Sequence, residues 1–583
     1  MLPWYWQLGF VAVLGQTTIN LLVQLLLISG RASTLRLKHL GLLFIGGALI
    51  FQTFARKNPA RRLRIEKLRD NYFLKILLVV IWLTNLAVAL APSSKLDDVF
   101  YHMVVPKRVA TEGTLNFYRL PIEAAIVPQM QYQISLSPAY ALGAPEAGNV
   151  MSLGYSIILG LFIVGFIQDA TGNDSLALLG GLGCAVGAYQ TVWHTTEGAT
   201  AIGDLALVIA ACGVLWPKLL LSKTTPLRYG LLITTAASLA ASTKISLLPI
   251  CVIISVLTAW RCYSHADVRS RQPVLMCALL LPWILIHLPL MAWTYHQSGS
   301  FWGPVMANVF HQSIFPTAIL GILDQMRIVN QGKFLANLRF AAVELSPLIF
   351  VGMSVVVWTA LRGCRTAAII LLLLIGQSVL IWWKLPYDFR FLGGLLYIPL
   401  IAAVLWLARQ GANKCYSAEG SAEAKRAVGL RNWVAVLTVV PWLIFQMYYA
   451  RPFFEEVVGI VTKAQFRERF VALSQDYDVL NRILPNDAVL YFANGRLSLF
   501  DAPRPVVLTP LDLRQKTSIY RLSMKPIPDK ELLDATSVLD CDDLVYFNNN
   551  ATVQVYRLPG KLPDTGMVTV RRCRIEPVQP RGP

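Results

Sequence analysis

Phe73-Leu74-Lys75-Ile76-Leu77-Leu78-Val79-Val80-Ile81-Trp82-Leu83-Thr84-Asn85-Leu86-Ala87-Val88-Ala89-Leu90-Ala91 is apolar but for Lys75, Thr84 and Asn85. A helix that crosses a hydrocarbon core about 30 Å thick needs roughly 20 such residues, because lipid offers the backbone no hydrogen-bond partners. Runs of this kind recur along the chain. Spans are predicted near 4–29, 40–55, 73–91, 149–168, 176–192, 200–217, 229–242, 245–260, 273–294, 345–361, 366–383, 391–408 and 432–449. Composition agrees: the 583 residues are 55% hydrophobic and 15% charged, where soluble domains carry roughly 25% charged residues. The mean hydropathy is +0.53. The expected fold is an α-helical polytopic membrane protein with about 11–13 transmembrane helices.

Basic loops resist translocation, so clusters of Lys and Arg mark the cytoplasmic side. Such clusters lie at 56–69, 261–271, 362–365 and 409–431, and alternation of the spans puts all four on one side. The opposite, extracytoplasmic face then receives loop 92–148, the turn at Thr195-Thr196-Glu197, loop 295–344, the 384–390 connection and everything from Arg451 onward. One conflict stands. Arg31, Arg36, Lys38 and His39 would face outward if 40–55 spans, whereas a surface helix there reverses the N-terminus. The first 29 residues have neither a basic start nor a small-residue cleavage site, so they are expected to remain as an anchor.

The expected organisation is an N-terminal membrane anchor with a basic cytoplasmic segment over 1–72, a transmembrane domain over 73–450 whose first outer loop is 92–148, and a soluble extracytoplasmic domain over 451–583. From about 470, Pro, Asn and Asp punctuate alternating runs such as Ala488-Val489-Leu490-Tyr491-Phe492 and Asp543-Leu544-Val545-Tyr546-Phe547, the pattern of a small α/β domain. Multiple spans with this polarity fit a plasma membrane of the bacterial inner-membrane type, with membrane lipids as neighbours. The net charge of +19 raises nucleic acid as a partner. The basic residues concentrate in short loops between spans, however, and topology explains them, so no nucleic acid is expected. The nine cysteines show no Cys-x-x-Cys or Cys/His spacing, so no metal site is expected. Cys541 and Cys573 alone fall in the tail, where a disulfide is permitted but not required.

Directly after the opening run comes Ser94-Lys95-Leu96-Asp97-Asp98-Val99-Phe100-Tyr101-His102. Adjacent acids at the mouth of the first outer loop are the strongest candidates for chemistry. A carboxylate base works beside cations that hold an anionic leaving group, and the chain places both on one face. Asp204 sits near the outer end of its span, where an acid is costly and marks a functional site by default. Lys244 and Arg390 lie at outer junctions of apolar runs. Each has an ordinary alternative: a snorkelling interfacial lysine for Lys244, an ion pair with Asp388 for Arg390. Phe100, Tyr101, Tyr118 and Tyr132 either stack on a ring or anchor in the headgroup layer, and His102 either assists proton transfer or makes a structural hydrogen bond. Loop 295–344, with Trp302, His311, Arg327 and Lys333, is either a lid or a plain surface loop.

The run Asp97-Asp98-Val99-Phe100-Tyr101-His102, followed by Pro106-Lys107 and Glu112-Gly113-Thr114-Leu115, resembles the first-loop signature of the GT-C membrane glycosyltransferases. The closest group is the family 39, aminoarabinose-transferase-like and protein O-mannosyltransferase-like one. Further stretches resemble that group's motifs in order: Thr195-Thr196-Glu197-Gly198-Ala199 with Asp204, Ser242-Thr243-Lys244, Phe301-Trp302-Gly303-Pro304-Val305, and Phe389-Arg390-Phe391 with Pro399. Together they span residues 73–410. Departures fall at Asp98, where Glu is commoner, at His102, found in a subset, and at Trp302-Gly303-Pro304, which replaces the usual Asn before Pro.

The resemblance implies an inverting glycosyltransferase that moves a sugar from a polyprenyl-phosphate donor to a hydroxyl of a glycan, lipid or protein acceptor on the extracytoplasmic face. It implies Asp97 as general base with Asp98 beside it. Asp204, Glu197, Tyr101 and His102 would position acceptor or sugar, and Lys244 and Arg390 would bind the donor phosphate. With cations on the phosphate no cofactor is needed, and a divalent metal, used by some relatives, is not indicated. Two rival classes remain: a polytopic secondary transporter, and a non-catalytic lipid- or sugar-binding membrane protein. Transporters usually carry mid-bilayer sites and paired repeats. No internal repeat is seen here, and the polar candidates lie at one surface.

Overall fold

Long runs of Leu, Ile, Val and Ala can satisfy their backbone groups in lipid only within a helix, and in the computed structural model every predicted span overlaps one. The structure describes residues 2–56, 72–95, 97–118, 122–198, 200–221, 224–264, 272–309, 314–315, 328, 344–384, 389–415, 422–492, 498–508, 513, 516–524, 530–532, 537–553 and 564–577. Among these, seven helical stretches are long and apolar enough to cross a membrane: Trp4–Ile28, Tyr72–Leu90, Ala147–Thr171, Ile245–Tyr263, Leu275–Ser298, Arg365–Trp383 and Phe389–Ala408. Large apolar side chains line their outer surfaces, among them Ile76, Leu83, Leu285, Leu372 and Ile375. A water-facing surface rarely tolerates patches of that size; a lipid-facing one requires them. The chain is thus mostly helical and apolar, with a small sheet at its C-terminal end.

Two compact units share the chain. One comprises 1–90, 109–115 and 126–450; the other comprises 91–108, 116–125 and 451–583. In the first unit the helix Trp4–Ile28 is fixed to Ala147–Thr171 by aromatic packing. Trp6 meets Phe162 edge-on at 5.0 Å, and the Tyr5 hydroxyl donates to Asp169 at 2.8 Å. The helix over the predicted 40–55 span is longer than expected, Thr34–Arg56. Arg36, Lys38 and His39 therefore lie on the helix rather than in a loop before it. The predicted 176–192 span is two helices, Asp174–Ala185 and Ala188–Trp193. The break falls at Gly187, whose φ of 130° suits glycine alone. The Gly187 carbonyl accepts from the Gln446 side-chain amide at 3.0 Å as well as from the Thr191 N–H at 3.4 Å, as buried backbone at a helix break requires.

The second unit holds the sheet. Its strands are β1 (Val489–Phe492), β2 (Val506–Val507), β3 (Ile519–Ser523), β4 (Lys530–Leu532), β5 (Ser537–Val553) and β6 (Asp564–Pro577), in the order β2-β1-β3-β6-β5-β4. β1 runs parallel to β2 and β3, and the remaining pairs are antiparallel. Helices Lys463–Phe470 and Ser474–Ile483 precede the sheet, the first capped by Thr462 and Gln465 in a reciprocal capping box. Asp476, buried on the second, accepts from Tyr546 and Asn548 of β5, each at 2.8 Å. One buried cluster joins Leu473, Leu480, Leu490, Leu522, Val568 and Val570 to Phe100 and Val104 from the segment after helix Tyr72–Leu90.

Cys541 and Cys573, open as a pair in the sequence, are bonded, and Cys541 falls where β5 bulges between Asp540 and Asp543. The bond closes a stretch of 32 residues, for which loop-closure entropy gives about 3–4 kcal/mol. The double variant Cys541→Ser/Cys573→Ser is therefore expected to lower the thermal midpoint of this unit by several degrees. Reductant should shift the parent the same way and leave the double variant unmoved; equal midpoints in parent and variant would refute the contribution.

Candidate functional site

The acid pair opens a single wide turn of π-helix over Asp98–His102, in which the Met103 N–H reaches the Asp98 carbonyl at 2.9 Å. Such wide turns concentrate at functional sites. The turn treats its two acids differently. Asp98 is 1% exposed and accepts from the Ser93 hydroxyl at 2.8 Å. Asp97, one residue earlier on the helical rim, stays half-buried. Phe100 is buried, while Tyr101 and His102 are half-buried with their rings 4.0 Å apart. Of the two carboxylates Asp97 is thus the more exposed and Asp98 the one held by a hydroxyl.

In the first unit Asp204 lies on helix Thr200–Leu215, 1% exposed. Its Oδ2 takes the Tyr189 hydroxyl at 3.0 Å and His194 Nε2 at 3.0 Å. His194 Nδ1 pairs with Ser156 Oγ at 2.9 Å. His194 thus bridges the carboxylate and the serine through its two ring nitrogens, in a chain of four polar groups running through Tyr189, Asp204, His194 and Ser156. The turn Phe389–Tyr397 closes over the same acid: a side chain on Gly394 would strike the Asp204 backbone, and one on Gly393 would come 2.9 Å from Asp204 Oδ1. Backbone cannot swing aside as a side chain can. Gly394→Val is accordingly expected to cost about 1–3 kcal/mol by overpacking, read as a lowered thermal midpoint of the purified protein; an unchanged midpoint would show that the approach is not tight.

The same turn carries Arg390, whose guanidinium stacks over the Trp193 ring at 3.9 Å. The Trp193 indole N–H donates to Glu344 Oε2 at 3.3 Å, and Glu344 is buried. Lys244, half-buried in extended backbone, separates helix Pro226–Thr243 from the turn Ile245–Leu247, and that turn packs against Phe389–Tyr397. Lys244 and Arg390 therefore sit on adjoining turns. Glu197 is fully buried; it accepts the Tyr140 hydroxyl at 2.7 Å and lies against Gly148, while its carbonyl takes the Gln133 amide at 2.6 Å. That is a bracing position between the 131–141 segment and helix Ala147–Thr171. Among the described residues no group of three or more His, Cys, Asp or Glu side chains is arranged to hold a metal ion.

No family model matches this chain, and neither does any curated protein or solved structure. The site is carried by its own geometry. In the membrane-type unit the structure brings together Asp204, Arg390 and the turn after Lys244, with Glu197 nearby in the chain and engaged elsewhere. Asp97, Asp98, Tyr101 and His102 form a second group in the sheet-bearing unit. Sequence reasoning missed His194 and Glu344. His194 stands one residue before Thr195-Thr196-Glu197 and is the sole basic side-chain type between 172 and 217, a usable signal; Glu344 had none beyond being an acid beside an apolar run. Asp388, His311, Arg327, Lys333 and the basic segment 57–69 lie outside the described residues.

Proposed function

We propose that this chain is an integral-membrane glycosyltransferase, multi-pass in a plasma membrane, that transfers a sugar from a polyprenyl phosphate to an acceptor hydroxyl on the extracytoplasmic face with inversion. The observation that carries the reading is the unequal acid pair: Asp98 held by Ser93, Asp97 half-buried beside it. Asp97 takes the proton of the acceptor hydroxyl as its oxygen attacks the anomeric carbon. The bond from that carbon to the phosphate oxygen breaks, and the electron pair leaves on polyprenyl phosphate. Cations stabilise that departing charge; Lys244 and Arg390 are the residues to which the resemblance gives that role. The resemblance of the first-loop run to the GT-C group supports the same assignment.

The test is release of polyprenyl phosphate from a panel of polyprenyl-phosphate sugars by the protein in lipid nanodiscs, with membrane extract as acceptor source. Donor-specific release is expected. Lys244→Ala should raise the donor KM about 10-fold or more, since charge-assisted hydrogen bonds contribute about 1.5–3 kcal/mol; equal donor affinity would remove Lys244 from the phosphate.

The buried Ser156–His194–Asp204 chain favours a second reading, a secondary transporter, because ionisable groups inside membrane helices often carry protons. Substrate-dependent proton uptake into vesicles, without release of polyprenyl phosphate, would select it.

A further inference from the structure

The acid turn is built into the sheet-bearing unit rather than standing as a separate loop. The Phe500 N–H donates to the Val99 carbonyl at 2.8 Å. The Lys107 ammonium donates to the Phe500 carbonyl and lies 4.7 Å from its ring centre. Arg108 Nη2 donates to the Val506 carbonyl at 3.1 Å. Between these polar ties Phe100 and Val104, 7% and 6% exposed, enter the same apolar cluster as Leu499 and Val506. The 498–501 bend is itself braced, since Ser498 Oγ donates to Asp501 at 2.7 Å and Asp501 pairs with Arg467. Burial, with Arg467 and Arg108 close by, pulls the Lys107 ammonium below the ordinary lysine range. A cation kept there against its solvation is held by what it touches.

We propose that the bend around Phe500 is a clamp that positions the Asp97–Asp98 turn, making Phe500 a positioning residue and the C-terminal sheet the mount of the acid pair. The consequence for turnover rests on the transferase reading; the clamp itself does not. Val99 and Phe100 follow the acids directly, so a turn tied at Val99 fixes the direction of both carboxylates to within the play of one peptide. Loss of the tie leaves the acids present but variably aimed, and misplacement by about 1 Å can cost 10²-fold in rate.

The experiment compares Phe500→Ala with Arg504→Ala in the full chain in nanodiscs. Arg504 holds Asn481, Leu484 and Pro485 and no residue of the acid turn, so it reports damage to the sheet unit alone. Hydrogen exchange at amides 97–104 is expected to rise 10-fold or more in Phe500→Ala and to stay near the parent in Arg504→Ala. Turnover should fall 10- to 100-fold in Phe500→Ala at unchanged donor KM, with recovery in Phe500→Tyr. Alanine keeps the backbone groups of position 500 and removes only the ring, so unchanged exchange in both Phe500→Ala and Lys107→Met overturns the clamp. Raised exchange with parental turnover overturns the positioning role. A parent that releases no polyprenyl phosphate defeats the transferase reading and leaves exchange to decide the clamp. Should Phe500→Ala fail to fold, Lys107→Met, which removes both of its contacts with Phe500, carries the same expectations.

Discussion

Asp97→Asn is expected to lower sugar transfer by roughly 10²- to 10⁴-fold, the contribution typical of a positioned general base. The carboxamide keeps the shape of the acid and loses only its capacity to take a proton, so donor affinity and thermal midpoint should stay near the parent. Single-turnover release of polyprenyl phosphate measures the first, and scanning calorimetry of the nanodisc sample the last. Asp98→Asn should differ in kind. Its Oδ2 accepts from Ser93 inside a buried turn, so its loss is expected mainly as a lowered midpoint. Parental turnover in Asp97→Asn would take Asp97 out of the reaction.

The second large effect belongs to His194. In His194→Leu the Asp204 carboxyl keeps the Tyr189 hydroxyl and loses the imidazole, 0% exposed beside it. Removing one partner of a buried hydrogen bond to a carboxylate costs about 1.5–3 kcal/mol, whereas replacing both by apolar groups of the same shape can be nearly neutral. His194→Leu should therefore unfold at a clearly lower temperature. The double variant His194→Leu/Asp204→Leu should recover most of that loss. Additive losses in the double variant would mean the two side chains do not act as a pair. Should the double variant keep both its fold and its transfer activity, Asp204 has no part in positioning sugar or acceptor.

Much of the architecture was legible because a hydrocarbon layer leaves the chain few choices. The helices follow from uninterrupted apolar runs, and two of the six strands among the described residues contain the alternating stretches at Val489–Phe492 and Asp543-Leu544-Val545-Tyr546-Phe547. The break at Gly187 was not legible, since hydropathy continues through Val186 and Ala188 and only the backbone angle marks the bend. Nor did any local pattern say that Phe100 and Val104 belong to the core of the sheet. An apolar pair in an outer loop reads equally well as a membrane anchor, and its actual neighbours lie hundreds of positions away. In the candidate site Asp97, Asp98, Asp204 and Glu197 were visible because charge is rare in such a chain, whereas Glu344 was passed over. Their partners Ser93, Ser156, Tyr189 and Trp193 were not, because serine and aromatic side chains are common at the ends of membrane helices.

The union of the acid-turn segment 91–108 with the C-terminal sheet also sets an order of birth. Lys107 and the Phe500 carbonyl that it meets stand 393 positions apart, which at ribosomal rates of about 5–20 residues per second is a wait of roughly 20–80 s. During that interval Phe100 and Val104 have emerged and the sheet that will shelter them has not been made. The acid turn matures last although it is synthesised early. A chain cut short anywhere before its tail would thus lack the sheet altogether, and its acid turn would stay unmounted.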